Sequence, residues 1–292
     1  MELFIGSGVA IVTPLNDHGI DFEALKGLIE WHILNNTDAI IVSGTTGEAA
    51  TLSDEEKKSL YEFTVKTVAG RVPVIAGTGS NDTKKAIQLS VMAEKAGVQG
   101  LLVVSPYYNK GTAKGMIAHF EAIANAVSTP IIIYNVPSRT TVNLTPSTIK
   151  ALSAHKNIVG IKEASADISQ IAELASLLPE DFALYAGNDD HIVPILSLGG
   201  KGVISTVANI LPKETHDLVK AYMSGDLKLA REIQFRINPL VRTLFIETNP
   251  IPVKTALNLM GMNAGLLRLP LTEMDEGHKE QLISILNAYH LL

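Results

Sequence analysis

Short β-branched runs alternate along this chain with longer segments in which apolar residues recur every three to four positions. The runs at 9–13, 39–43, 72–76, 100–105, 131–135, 158–162, 183–186 and 202–205 read as buried strands. Their starts lie roughly 20–35 residues apart, the spacing that repeated strand–helix units require. Between them, Phe22, Leu25, Leu28 and Ile29 share one helical face behind the capping residue Asp21. Ser53 and Glu56 fit a capping box, and Thr145-Pro146 places proline at the first helical position behind a capping threonine. Asp82 and Asp167 can cap the segments they precede, and Gly97 can end one. This repetition predicts an α/β fold, a closed (β/α)8 TIM barrel, with an open doubly wound sheet as the alternative because strand order is not visible in a sequence. After residue 224 the pattern is helical only, at 227–244, 252–259 and 276–291. We therefore expect a barrel domain over 1–224 and a C-terminal helical extension over 225–292. No low-complexity linker separates them, so the two should pack together.

Composition narrows the chemistry. Of 292 residues, 46% are hydrophobic and 18% charged, which supplies a large core and excludes wholesale disorder. The net charge of -6 is scattered rather than blocked, and no basic stripe marks a nucleic-acid surface. The absence of cysteine removes disulfides, thiolate nucleophiles, iron–sulfur clusters and cysteine zinc sites. The N-terminal segment Met1-Glu2-Leu3-Phe4-Ile5 lacks the basic and apolar regions of a secretion signal, and no uncharged apolar run approaches ~20 residues. A cytoplasmic protein without membrane contact is expected.

One lysine stands out. Lys162 closes the apolar run Ile158-Val159-Gly160-Ile161, where it would point into whatever the strand opens onto. Burying an ammonium costs several kcal/mol, and a lysine neutralised by burial is a nucleophile towards carbonyls. In a barrel, chemistry sits at the C-terminal ends of the strands. Those ends carry Gly44-Thr45-Thr46-Gly47-Glu48, Pro106-Tyr107-Tyr108-Asn109, Tyr134-Asn135-Val136-Pro137-Ser138-Arg139-Thr140, Lys162, Gly187-Asn188-Asp189-Asp190 and Ile204-Ser205. Hydroxyls, phenols, a guanidinium and an amine form an inventory for moving protons and binding carboxylates. Taken singly, each has a plainer reading: a snorkelling rim lysine, a tight turn, aromatic packing or a surface ion pair. Their coincidence at one end of one barrel favours a site.

The first, second and third of these segments, with Gly160-Ile161-Lys162-Glu163-Ala164 and Asn249-Pro250-Ile251-Pro252-Val253-Lys254, resemble the dihydrodipicolinate synthase family of pyruvate-dependent class I aldolases. The resemblance runs almost end to end. It implies a lyase in which Lys162 forms a Schiff base with pyruvate, and the enamine attacks L-aspartate 4-semialdehyde at the entry to diaminopimelate and lysine biosynthesis. It further implies Tyr134 as proton donor and acceptor, and Thr45 and Tyr108 as the proton relay. Thr46 would bind the pyruvate carboxylate and Arg139 that of the semialdehyde, with Gly187 and Ile204 as backbone contacts and Tyr107 at a subunit interface. A homotetramer built as a dimer of dimers is implied, as is the absence of any cofactor or metal. Where lysine-inhibited members carry a glutamate and histidines, this chain has Lys85, Asp54 and Lys57, which implies weak or absent lysine feedback.

Several alternatives stay open. Other pyruvate-dependent aldolases, N-acetylneuraminate lyase or a keto-deoxy sugar acid aldolase, share the lysine, the tyrosine and the strand-two turn. A non-catalytic small-molecule sensor could use the same fold. Gly199-Gly200-Lys201-Gly202 could pass for a phosphate loop but precedes its strand, on the wrong face. Asp189-Asp190-His191 offers metal ligands, which helix capping explains better.

Overall fold

A computed structural model of the chain describes residues 3–292; Met1 and Glu2, which open the N-terminal segment considered above, lie outside them. Eight parallel strands form a closed barrel: β1 (Gly6–Ala10), β2 (Ala39–Val42), β3 (Val74–Gly77), β4 (Gly100–Val104), β5 (Ile131–Asn135), β6 (Ile158–Glu163), β7 (Ala183–Ala186) and β8 (Gly202–Ser205). Each strand pairs with its neighbours in sequence, and β8 closes on β1 with Gly6 opposite Gly202 and Val9 opposite Ser205. Closure removes the doubly wound alternative.

Successive strand residues face opposite sides. Ile41, Ile75, Leu102, Ile132 and Tyr185 therefore fill the barrel as one core, while Ile40, Val42, Val74 and Leu101 join a larger core beneath the helices. Phe4 stacks on Tyr185 with ring centroids 4.6 Å apart, and the Tyr185 hydroxyl donates to Phe4 O at 2.8 Å. Phe4, just ahead of β1, thus packs into the barrel core from its N-terminal end.

The helices are α1 (Phe22–Leu34), α2 (Asp54–Val68), α3 (Thr83–Ala96), α4 (Ala113–Ala126), the single turn α5 (Pro137–Thr140), α6 (Pro146–Ser153), α7 (Ile168–Leu177), α8 (Ile192–Ser197) and α9 (Pro212–Met223), followed by α10 (Leu227–Leu244), α11 (Ile251–Leu259) and α12 (Glu276–Ala288). Asp21, Asp82, Thr145 and Asp167 cap α1, α3, α6 and α7 as their positions predict, and Ser53 and Glu56 form the expected capping box. β1 begins three residues before the β-branched run that announces it. Its opening Gly6 lies against Asp38, whose Oδ2 would be 2.0 Å from a Cβ there, so the packing needs a glycine that a hydropathy pattern does not register.

The helical extension is tied to the barrel by a buried ion pair. Lys254 on α11 donates to Glu48 Oε1 at 2.8 Å, to Thr13 O at 3.0 Å and to Leu266 O, while the backbone N–H of Arg268 donates to Glu48 Oε2 at 3.0 Å. Burial lowers the pKa of Lys254 and the Glu48 carboxylate opposes that. Glu48 takes a left-handed backbone, φ 56°, at the end of the turn that follows β2. Among the described residues no helix is long and apolar enough to cross a membrane.

Candidate active site

Lys162 is paired across β5–β6–β7 with Tyr134 on one side and Tyr185 on the other. It is 6% exposed, and its Nζ lies 4.3 Å from the centre of the Tyr134 ring. Burial pushes the ammonium pKa down to about 8; the Asp189 carboxylate resists this and the Arg139 charge assists it. About one molecule in ten then carries the free amine at pH 7, against one in a few thousand for an ordinary lysine. Tyr134 moves the other way. Burial raises its phenol to about 12, while Arg139 and a hydrogen bond from Thr45 favour the phenolate and Asp189 and Glu163 disfavour it. At neutral pH the site thus holds a partly neutral amine beside a protonated phenol.

Behind this inward-facing pair, the next residues of the same two strands form a second pair facing outward. Asn135 and Glu163 are opposite in register, and both are buried. Asn135 Nδ2 donates to Glu163 Oε1 and Oε2 at 3.2 and 3.1 Å, and Ser165 N donates to Oε1 at 2.6 Å. Asn135 Oδ1 accepts from Leu144 N at 3.0 Å. Burial raises the Glu163 pKa and these donors lower it. The clamp fixes the ends of β5 and β6, and Gly187 N continues it by donating to Glu163 O at 2.8 Å. A Cβ on Gly187 would meet Ala164 Cβ at 2.7 Å, so the close approach of the β6 and β7 ends requires glycine there.

The remaining groups lie around the mouth. Thr46, 2% exposed, accepts from Asn249 Nδ2 at 2.9 Å and lies 3.5 Å from the Thr206 hydroxyl. With its oxygen engaged by an amide donor, Thr46 has its own proton to offer to an anion. Arg139, on α5, is exposed and donates through Nη2 to Asn249 O at 3.0 Å. Ile204 is fully buried on β8.

The chain brings Lys162, Tyr134 and Thr45 together, and links Thr46 and Arg139 through Asn249. It does not bring in Tyr108, which is 89% exposed with φ 70° on the loop after β4, nor Tyr107, which is 40% exposed beside it. Two residues escaped the sequence reading as parts of the site. Asn249 had served only as part of a motif, and its contact with Thr46 spans 203 positions. Asp189 was assigned to helix capping, but its side chain does not cap the turn it begins. Oδ2 reaches across to accept from Thr206 N and Val207 N, at 3.1 and 2.8 Å, on the segment after β8. Among the described residues no group of three or more histidine, aspartate or glutamate side chains is placed to hold a metal ion.

A buried, partly neutral amine flanked by a phenol, with a hydroxyl and a guanidinium at the rim, is equipped to attack a ketone and to seat carboxylates. The profile of the Dihydrodipicolinate synthetase family matches residues 3–289. A 4-hydroxy-tetrahydrodipicolinate synthase of Thermoanaerobacter sp. (strain X514) is 58% identical over 100% of this chain and 99% of its own length. The crystal structure of dihydrodipicolinate synthase from Thermotoga maritima superposes with a TM-score of 0.98 at 44% identity, covering 100% of both chains. A synthase from Cyanidioschyzon merolae solved with lysine bound has a TM-score of 0.96 at 40% identity, again covering 100% of both chains.

Proposed function

This chain belongs to the dihydrodipicolinate synthetase family, and from that premise we propose how its residues divide the work of the 4-hydroxy-tetrahydrodipicolinate synthase reaction. That reaction, a lyase-class condensation at the entry to diaminopimelate and lysine biosynthesis, is the chain's activity. Its substrates in our reading are pyruvate and L-aspartate 4-semialdehyde. The neutral amine of Lys162 attacks the ketone carbon of pyruvate, the carbonyl oxygen leaves as water with protons delivered through Tyr134, and an iminium remains on the lysine nitrogen. Loss of a methyl proton gives the enamine, whose carbon attacks the semialdehyde. The amino group of that substrate then closes the ring and displaces Lys162 as a free amine. Lys162 itself carries the pyruvate, and the scheme calls on no cofactor.

The observation that carries this reading is the pairing of a buried, pKa-lowered Lys162 with Tyr134 across β5 and β6. Thr45 bonds to Tyr134 and extends the proton path towards the mouth. We assign Thr46 to the pyruvate carboxylate, with backbone at Gly187 and Ile204 flanking the lysine, and Arg139 to the carboxylate of the semialdehyde through its planar fork. The exposure of Tyr107 and Tyr108 supports a subunit interface at which Tyr108 completes the relay of a neighbouring chain, within a dimer of dimers. A cytoplasmic setting is part of the same reading.

Borohydride reduction in the presence of pyruvate tests it. A stable adduct mapped to Lys162 is expected, and no adduct, or one on another lysine, overturns the scheme. In Arg139→Ala the adduct should still form, while turnover with aspartate semialdehyde falls far more. Equal loss of both would remove the role given to Arg139, and turnover with N-acetylmannosamine in place of the semialdehyde would move the chain to the sugar-acid branch.

A further inference from the structure

Asn249 lies two residues ahead of α11, 5% exposed, and its side chain is satisfied on one side only. Nδ2 donates to Thr46 Oγ1 at 2.9 Å, while Oδ1 is buried without a hydrogen-bond partner among the described residues. A buried amide oxygen that receives no donor is costly, so asparagine is a poor choice here for filling space. Nor does the turn that carries Thr46 depend on it. Thr13 Oγ1 donates to Gly47 O at 2.8 Å, Glu48 N donates to Thr45 O at 3.1 Å, and Lys254 holds the Glu48 carboxylate at 2.8 Å. With the turn backbone fixed by these contacts, what the Asn249 amide adds is the setting of one hydroxyl.

An amide NH2 group donates and cannot accept, so the Thr46 oxygen receives and its own proton is not engaged by Asn249. The hydroxyl of Thr206 is 3.5 Å away, too long to compete strongly for that proton. The backbone of Thr206 is itself tied down, its N–H donating to Asp189 Oδ2 at 3.1 Å and its carbonyl accepting from Asn209 Nδ2 at 3.0 Å. A hydroxyl held by a donor behind it and left with a free proton is arranged in advance for an anion, which need break no internal bond to be seated.

The geometry points to Asn249 as a positioning residue: its amide turns the Thr46 hydroxyl into a standing donor for the carboxylate of the keto acid that Lys162 captures. This rests on the Schiff-base reading and on the seat given to Thr46, and deepens both by naming the group through which that seat is set. The amide comes from the helical extension, 203 positions downstream of the hydroxyl it orients. The backbone carbonyl of the same residue accepts from Arg139 Nη2 at 3.0 Å. Side chain and backbone of Asn249 thus serve the two carboxylate seats separately, and a side-chain substitution addresses the first alone.

The pyruvate concentration giving half-maximal borohydride trapping reads this role. In Asn249→Ala it should rise about tenfold. Asn249→Asp keeps the shape but can only accept, so it draws the Thr46 proton inward and sets a negative charge beside the seat; the rise should be about a hundredfold. A space-filling role gives the opposite order, since alanine leaves a cavity and aspartate does not. Thr46→Val alone should match Asn249→Ala, and the two together should cost no more than either, because the amide acts through the hydroxyl. The KM for the semialdehyde should stay close to that of the unsubstituted protein in Asn249→Ala. Half-saturation reports on the molecules that react and not on how many there are, so partial misfolding does not obscure it. An unchanged half-saturation in Asn249→Ala, an aspartate variant milder than the alanine one, additive losses in the double variant, or an equal rise in the semialdehyde KM each overturns the assignment. The absence of any Lys162 adduct in the unsubstituted protein would instead overturn the Schiff-base reading on which it rests.

Discussion

Burial gives Lys162 its nucleophile and also sets the acid limit at which that nucleophile is lost. Because the lowered pKa is about 8, the amine is mostly free above that value and is protonated below it. Single-turnover formation of the pyruvate adduct should therefore fall roughly tenfold for each pH unit below about 8; a flat profile between pH 6 and 8 would show that another step governs. A second residue-scale outcome concerns Lys85. It is ion-paired with Asp54, and Lys57 nearby has its own pKa lowered by burial. An added lysine would bring further positive charge to this cluster, so millimolar L-lysine should leave the steady-state rate unchanged; clear inhibition would refute that. Lys162, Tyr134 and Thr45 were legible in the sequence because each lies in the last two residues of a strand or in the turn beyond it. Asn249 and Asp189 were not, because their roles depend on contacts with Thr46 and Thr206 that only the closed barrel creates.

At the scale of elements, the alternation of a strand puts two kinds of chemistry on consecutive residues. On β5 and β6 the inward pair Tyr134 and Lys162 reacts, and the outward pair Asn135 and Glu163 holds the two strand ends in register. Glu163→Ala would leave Ser165 N and one Asn135 hydrogen without acceptors in a buried place, and should lower unfolding stability by about 1–3 kcal/mol in denaturant titrations. The pyruvate adduct should form more slowly in the folded variant, since the backbone of Lys162 loses its support. An unchanged midpoint and rate would leave the clamp without a role. Seven of the strand positions follow directly from β-branched runs, and β1 departs from its run because Gly6 answers to the bulk of Asp38 rather than to hydrophobicity.

For the whole molecule, the Glu48–Lys254 pair is the joint between barrel and extension. Both side chains are almost completely buried, and both belong to segments that also carry site residues: Glu48 follows Thr45 and Thr46, and Lys254 follows Asn249. Lys254→Met should destabilise the protein by about 3–5 kcal/mol, because it strands a buried carboxylate. Adding Glu48→Leu should recover much of that loss, and thermal melts of the single and double variants decide it. A sequence shows that barrel and extension lack a linker; it does not show that two charges a barrel's length apart along the chain meet in its interior.

The contact between Arg139 and Asn249 O spans 110 positions and crosses from a barrel loop to the extension. Its consequence is for anyone who would refit this enzyme to another aldehyde. The guanidinium is not a portable module of its loop, since its aim is set by a carbonyl encoded far downstream. Transplanting the 137–140 turn from a relative would carry over the reach of the arginine without its bearing, and library designs confined to barrel loops would sample mostly misaimed variants. Segments 137–140 and 249–254 should be exchanged together, as one unit of inheritance.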